Sequence, residues 1–300
     1  MEPSPGPTRS CAWCGASLEA AERTAVRAFC PRCGVASTDP WPSPEDLADA
    51  YGGWYRPSTG RFGIGDRLLR FTRGRLARRL DELAPPGSVL DVGAGDGTLV
   101  DALRRRGREA VGLDPYSERP DFLRADVTEA TGPFAAVVFW HSLEHLGNPT
   151  HALDAAIRLL TPGGLLVIAM PNAASVQAEW FGDRWLAVDV PRHLVHVPSA
   201  ALLSYLRDRG LSVARISYVR GGQVVFGWLH GLVATLAGVD LYDAIRTAGA
   251  RRKAMGPGRR ALAVVAGILL LPAGVVAVAV ETVMRRGGTV YVEATRPSGP

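Results

Sequence analysis

Ser88-Val89-Leu90-Asp91-Val92-Gly93-Ala94-Gly95-Asp96-Gly97-Thr98 is the stretch around which the chain is organised. The apolar run Val89 to Val92 predicts a short buried parallel strand. Leu99, Val100 and Leu103 then mark one face of a helix, and three glycines at alternate positions fill the turn between. Glycine lets a strand turn sharply and lets a ligand approach the backbone. The helix start adds unpaired N–H groups beside such a ligand. The spacing departs from the dinucleotide fingerprint Gly-x-Gly-x-x-Gly, because Thr98 stands at its third glycine. Ala110-Val111-Gly112-Leu113-Asp114 predicts a second strand ending in an acid, 17 residues past Gly97. A carboxylate there can accept from ribose hydroxyls. Arg124-Ala125-Asp126-Val127 supplies a third strand end with an acid.

The turn and its acids resemble class I S-adenosylmethionine-dependent methyltransferases, over roughly Asp81 to Ser217 and again near Val290. The resemblance implies S-adenosylmethionine as cofactor, with Asp91, Gly93, Ala94 and Gly95 in the cofactor turn. It implies Asp114 as the ribose acid and Asp126, beside Val127, at the adenine. The plain alternative is an ordinary αβ turn with surface acids.

Strands alternate with helices through the middle of the chain, which predicts an α/β, doubly wound, mostly parallel sheet. Seven strands are expected in the Rossmann-like methyltransferase fold that the resemblance implies. Helices are expected over Glu45 to Tyr51, Gly63 to Leu83, Thr98 to Arg106, after Asn148-Pro149-Thr150, and from Ser199 to about Gly210. In the second of these, Leu68, Leu69, Leu76, Leu80 and Leu83 are expected to face inward. Strands are expected at Val89–Val92, Ala110–Leu113, Leu123–Ala125, Ala135–Trp140, Leu165–Met170, Leu211–Val219 and Gly288–Ala294. The resulting division is a cysteine-bearing segment (1–40), a linker with N-terminal helices (41–84), a core (85–220), an apolar helical insertion (221–287) and a last strand with a tail (288–300).

All four cysteines lie near the start, as Cys11-x-x-Cys14 and Cys30-x-x-Cys33 with fifteen residues between. This is zinc-ribbon spacing, and a four-thiolate site is closed, so the metal is expected to be structural Zn²⁺. Gly15 and Gly34 follow the pairs and suit tight knuckles. Metal binding contributes on the order of 10 kcal/mol to folding a segment too small for its own core. A redox dithiol pair or disulfides are the alternatives. A brace, a substrate lid and a protein-docking module all suit the ribbon.

Two stretches are candidates for the acceptor side. Trp140-His141-Ser142-Leu143-Glu144-His145-Leu146 leaves the fourth strand; by resemblance His141 lines the cofactor while Glu144 and His145 point toward substrate. His145 as a plain turn cap is the bland alternative. Trp180 to Trp185, continuing to Asp189-Val190-Pro191-Arg192-His193-Leu194-Val195-His196, reads as an aromatic loop, and loops carry function. It resembles the Trp…Asp-x-Pro-x-His stretch of one subgroup of these enzymes. His193 is the first candidate for a general base, with His145 second; a histidine that merely ties the loop down is the alternative. Tyr51-Gly52-Gly53-Trp54-Tyr55-Arg56-Pro57 could cover cofactor or substrate, or plug a gap.

The insertion holds two apolar runs, Val224 to Val239 and Ala261 to Val280, the second with twenty uncharged residues broken by Pro272. Twenty helical residues reach about 30 Å, enough to cross a bilayer. Arg246, Arg251, Arg252, Lys253, Arg259 and Arg260 lie between the runs, against the positive-inside rule for a spanning hairpin. The expectation is therefore a monotopic hairpin whose basic residues, with Arg285 and Arg286, meet an anionic surface. Core packing or a homodimer interface is the alternative.

Three hundred residues, 47% of them hydrophobic, allow a sizeable core, and the formal charge is +5. Met1 to Pro7 has no apolar stretch of the secretory kind, which points to a cytoplasmic site, peripheral on the inner face of the cell membrane. Nucleic acid is not expected, because the basic residues sit near apolar runs and not among aromatics that could stack on bases. The expected function is O-methylation of a small or lipid-linked acceptor. Methylation at nitrogen or carbon, and a non-catalytic cofactor-binding membrane scaffold, stand as alternatives. A nicotinamide dehydrogenase is disfavoured by Thr98.

Overall fold

The computed structural model describes residues 10–52, 64–218, 221–245 and 255–298. The near-continuous apolar runs of the middle region form a six-stranded sheet. Its strands are β4 (Val89–Val92), β5 (Ala110–Leu113), β6 (Phe134–Trp140), β7 (Leu160–Pro171), β9 (Ser212–Ser217) and β10 (Thr289–Thr295). The order is β5-β4-β6-β7-β10-β9. The first four are parallel, and β10 inserts antiparallel between β7 and β9. Unbroken apolar strands suit a sheet covered on both faces. On one face, α2 (Ile64–Leu83) and α3 (Thr98–Arg104) bring Leu76, Leu80, Leu99 and Leu103 into the core. On the other, α4 (Pro149–Leu159) and α6 (Ser199–Asp208) bring Leu153, Leu202 and Leu206.

Three expectations are corrected. The strand expected at Leu123–Ala125 is reduced to one parallel bridge, Leu113 to Leu123, because Asp126 at once turns the chain by capping a 3-10 turn. Leu83, the last residue of α2, is 40% exposed, while Leu80 and Ala84 on either side of it are buried. Trp180 and Phe181 lie not on a loop but on α5 (Val176–Phe181), entered through Ser175, whose hydroxyl accepts from Ala178 N at 3.1 Å. The side chains of Leu68 and Leu69, and the segment Gly53 to Pro57, lie outside the described residues.

The cysteine segment forms β1 (Glu22–Arg23), β2 (Arg27–Phe29) and β3 (Ala36–Thr38). Its sheet is completed by β8 (Val195–His196), from the loop after β7, with Ala36 opposite His196 and Ser37 opposite Val195. Trp13 stands edge-on to Tyr205 of α6 at 5.2 Å, so the segment shares one core with the α/β region. A short α1 (Pro44–Gly52) follows.

Between β9 and β10 the chain makes α7 (Gly221–Ala237), α8 (Leu241–Ile245) and α9 (Pro257–Val283). The fully buried Glu281 of α9 fastens this insertion to the core. It accepts from Trp228 Nε1 at 2.9 Å, Gln177 Nε2 at 3.2 Å and Gly288 N at 3.2 Å.

Candidate active site

The glycine turn comes first because β4 ends in it. Gly93 and Gly97 have φ of 74° and 77°, where a side chain is strained. A Cβ on Gly93 would also lie 2.4 Å from that of Ser142, so the turn and the end of β6 touch only because residue 93 is glycine. Asp114 is buried and turned into the crease below this turn. Its carboxylate accepts from Gly95 N at 2.9 Å and from Tyr116 N at 2.8 Å. Asp91 is buried at the end of β4; burial pushes its carboxyl up to about 7, against the pull of Arg73 and with the push of Asp114 and Asp96. Asp126 caps the turn at Val127, accepting from Thr128 N at 2.9 Å, while Glu129 reaches back to Asp126 N at 3.1 Å. A glycine turn whose backbone is bonded to a buried carboxylate at the end of the next strand fits the nucleoside of S-adenosylmethionine.

Next along β6, His141 holds φ at 53°, rare for a non-glycine residue. It lines a cavity of about 620 Å³. That is the size of a small-molecule site. Its walls include His141, Glu144, His145 and His193 on the core side, and Phe226 and His230 on the insertion.

Glu144, His145 and His193 come together there, offering ligand atoms within 4.8 Å of one another. His193 Nδ1 lies 2.8 Å from the carbonyl of Ala187, and His145 Nδ1 2.9 Å from that of Arg192. A carbonyl only accepts, so each Nδ1 carries the proton and each Nε2 keeps its lone pair. His193 thus ties the loop down with one nitrogen and keeps the other basic; His145 is not a turn cap. The rings meet edge to face at 4.7 Å. Burial, helped by His193, lowers His145 to about 4, so it is neutral at physiological pH. Glu144 is buried and neither oxygen has a hydrogen-bond partner among the described residues; His141 Nδ1 stands 3.3 Å away. Burial would raise its carboxyl, yet His141, His145 and His193 bring it down to about 2. This trio can act as an acid–base group or hold a divalent cation.

Two further contributors come from the N-terminal part of the chain. Tyr51 of α1 stacks on Tyr116 at 4.8 Å and places its hydroxyl 3.0 Å from His145 Nδ1, joining the cofactor edge to the base cluster. The cysteine segment braces the loop of His193. Thr38 donates to the His193 carbonyl at 2.6 Å, and the buried Arg27 pairs with Asp183 at 2.8 Å. His196 sits in the same joint, 3.3 Å from Thr38 Oγ1, and burial with His193 and Arg27 lowers it to about 3.

The four cysteines converge, with Cys11 Sγ 3.6 Å from Cys33 Sγ and Cys14 Sγ 3.6 Å from Cys30 Sγ. A disulfide needs about 2.05 Å. Four sulfurs around one zinc, each about 2.3 Å from it, stand about 3.8 Å apart. The set therefore fits a tetrahedral ion. Gly15 and Gly34 have φ of 70° and 71°, as tight knuckles require, and Trp13 N donates to Cys11 Sγ at 3.4 Å.

A family model described as a methyltransferase domain matches residues 67–216, half of the chain. A ubiquinone biosynthesis O-methyltransferase of Xanthomonas oryzae pv. oryzae (strain PXO99A) is 31% identical over 153 residues, covering 43% of this chain and 64% of that protein. One from Xylella fastidiosa (strain M23) is 29% identical over 157 residues, covering 44% and 63%. The chain thus spans a little under two thirds of the length of these relatives. Among solved structures, a SAM dependent methyltransferase from Archaeoglobus fulgidus aligns with a TM-score of 0.45 at 17% identity, covering 75% of this chain and 93% of that one.

Proposed function

The chain belongs to the methyltransferase-domain family, and on that premise we propose that it transfers the methyl group of S-adenosylmethionine to a hydroxyl oxygen of a small or lipid-linked acceptor. The observation that carries the reading is the enclosed pair His145 and His193. Each is fixed by a main-chain carbonyl at Nδ1, which leaves the lone pair on Nε2. When bound, the cofactor supplies a sulfonium-activated methyl group. Gly93 to Gly97 and Asp114 hold its nucleoside, with Asp91, Asp126, Val127 and His141 along the same edge. The cavity walls orient the acceptor, and proximity of this kind accounts for up to roughly 7–11 kcal/mol of a barrier. His193 removes the hydroxyl proton, and Glu144 stabilises the imidazolium that results. His145 serves as second base or as an acceptor of the substrate's hydrogen bond. The named activity of the relatives, O-methylation in ubiquinone biosynthesis, supports oxygen as the target and a lipid-linked ring as one substrate class.

Cys11, Cys14, Cys30 and Cys33 hold a structural zinc ion in this reading, and the ribbon braces the base-bearing loop. The division into ribbon, linker, core, hairpin and last strand belongs to it, as does a cytoplasmic site at the inner face of the membrane. The test is mass spectrometry of lipid and aqueous cell fractions treated with isotope-labelled S-adenosylmethionine. Label on a hydroxyl oxygen is expected. Label on nitrogen or carbon, or cofactor binding without transfer, contradicts it.

A second reading is favoured by the bare carboxylate of Glu144. A divalent cation held by Glu144, His145 and His193 would lower the pKa of the acceptor hydroxyl directly. Magnesium or manganese restoring turnover to chelated protein with an intact ribbon selects this reading; indifference to both selects the histidine base.

A further inference from the structure

α9 buries one narrow seam. Ala263, Gly267, Gly274 and Glu281 face α7, α8 and the core, at spacings of four, seven and seven. The small residues let Leu241 and Leu229 close up against the helix. The opposite face is apolar and, among the described residues, uncovered: Ile268 is 66% exposed, Leu269 74% and Val283 84%, with Leu262, Val265 and Val276 along the same side. An exposed apolar stripe this long marks an interaction surface.

Charge selects the partner. The insertion 221–287 holds eight Arg and Lys against three Asp and Glu, a surplus of five. The whole chain has a formal charge of +5, so the remainder is balanced and the surplus belongs to this hairpin. One of its three acids, Glu281, is fully buried. Arg259 and Arg260 stand at the start of α9, and Arg285 and Arg286 follow its end. A second copy of the chain would bring the same surplus against itself, which like charges oppose. Anionic lipid headgroups complement both the stripe and its basic ends. Trp180, 69% exposed and edge-on to Trp228 at 6.1 Å, stands beside the hairpin; tryptophan favours a membrane–water boundary.

We propose that α9 lies in the plane of an anionic bilayer with its outer face among the acyl chains. With 27 residues it is about 40 Å long and could reach across. Its C-terminal half is instead fastened beside the sheet, by Glu281 to Gln177 and through Trp228 to Phe181 at 5.3 Å. Crossing would drag that polar region into lipid. α7, on which α9 rests, also walls the acceptor cavity through Phe226 and His230. If the methyl-transfer reading holds, a lipid-linked acceptor enters the cavity directly from the surface on which the hairpin rests.

The full chain is floated with vesicles of phosphatidylcholine alone and of phosphatidylcholine with phosphatidylglycerol. Wild type should rise with the anionic vesicles, less so in high salt. Leu269→Asn combined with Val276→Asn, both outside the cavity, should leave the protein in the dense fraction while its thermal unfolding is unchanged. Wild type remaining dense with anionic vesicles overturns the proposal, as does a variant that floats equally well. A dimer in solution that the paired variant dissociates assigns the face to a second copy and also overturns it. Flotation needs no methyl transfer, so loss of the enzymatic reading leaves this result standing.

Discussion

The proposed cofactor edge at the glycine turn and the cavity lined by His141, Glu144, His145 and His193 are built in opposite ways. The edge is local: one strand, one glycine turn and one acid, with Asp114 reaching only 19 residues back to Gly95 N. The cavity is assembled from distant pieces. His145 after β6, His193 after β7 and His230 of α7 line it, Tyr51 of α1 contacts His145, and Thr38 of the ribbon holds His193 in place across 155 residues. A turn that cradles a common cofactor needs one short stretch of backbone. A wall that selects an acceptor can draw on whatever the fold brings near, including an added ribbon and an added hairpin.

This contrast gives ways to disturb one side without the other. Cys30→Ser should have the largest effect. In the zinc reading it removes a ligand from a site whose ion would contribute about 10 kcal/mol or more to folding, so the ribbon would loosen and release the His193 loop. Turnover should vanish while cofactor affinity, measured calorimetrically, stays within a few fold. Loss of both together would show that the ribbon supports the whole fold. His193→Asn keeps an amide able to donate to the Ala187 carbonyl and removes the basic Nε2. Turnover should fall by roughly 10²–10⁴ with cofactor affinity unchanged; steady-state kinetics beside calorimetry checks both.

Acid should weaken the acceptor side through its buried imidazoles. His145 and His196 titrate near 4 and 3 in the folded protein. In the unfolded chain they titrate near about 6.5. The unfolded state therefore binds more protons below that pH, and stability is lost as pH falls through 6.5 toward 4. Urea unfolding midpoints should drop between neutral pH and about pH 5, and His196→Asn should flatten the drop. The smallest effect is expected of Thr38→Val, which deletes the bond to the His193 carbonyl. It should cost about 1 kcal/mol of stability and raise the acceptor KM more than it lowers kcat.

The same contrast explains what could be read from residues alone. Strands β4 and β5, the glycine turn and the four cysteines were legible, because each rests on local rules: apolar runs, positive φ and ligand spacing. His193 and His145 were legible as candidates by residue type, though not the carbonyls that fix their tautomers. Glu144 looked like a substrate-facing acid; its burial among three imidazoles depends on chain folded above it. Tyr51 was legible only as part of an aromatic stretch that could cover the site, without its contact to His145, and the β3–β8 pairing was hidden, since a two-residue strand such as Val195–His196 has no periodicity to detect. The aromatic cluster at Trp180 to Trp185 misled, because α5 is six residues long and too short to show a helical stripe. Leu83 misled for the converse reason: it keeps the helical spacing of α2 but, as the helix's last residue, stays 40% exposed.

The central claim is that a nucleoside-bearing methyl donor rests on the glycine turn with its ribose on Asp114, apart from the acceptor machinery. Calorimetric titration of S-adenosylmethionine into wild type, Asp114→Ala and His193→Asn tests it most directly. One site per chain is expected in wild type and in His193→Asn. In Asp114→Ala affinity should fall by roughly 10²-fold, the worth of about two charge-assisted hydrogen bonds. Equal heats from Asp114→Ala and wild type, or no binding to wild type at all, would contradict the account.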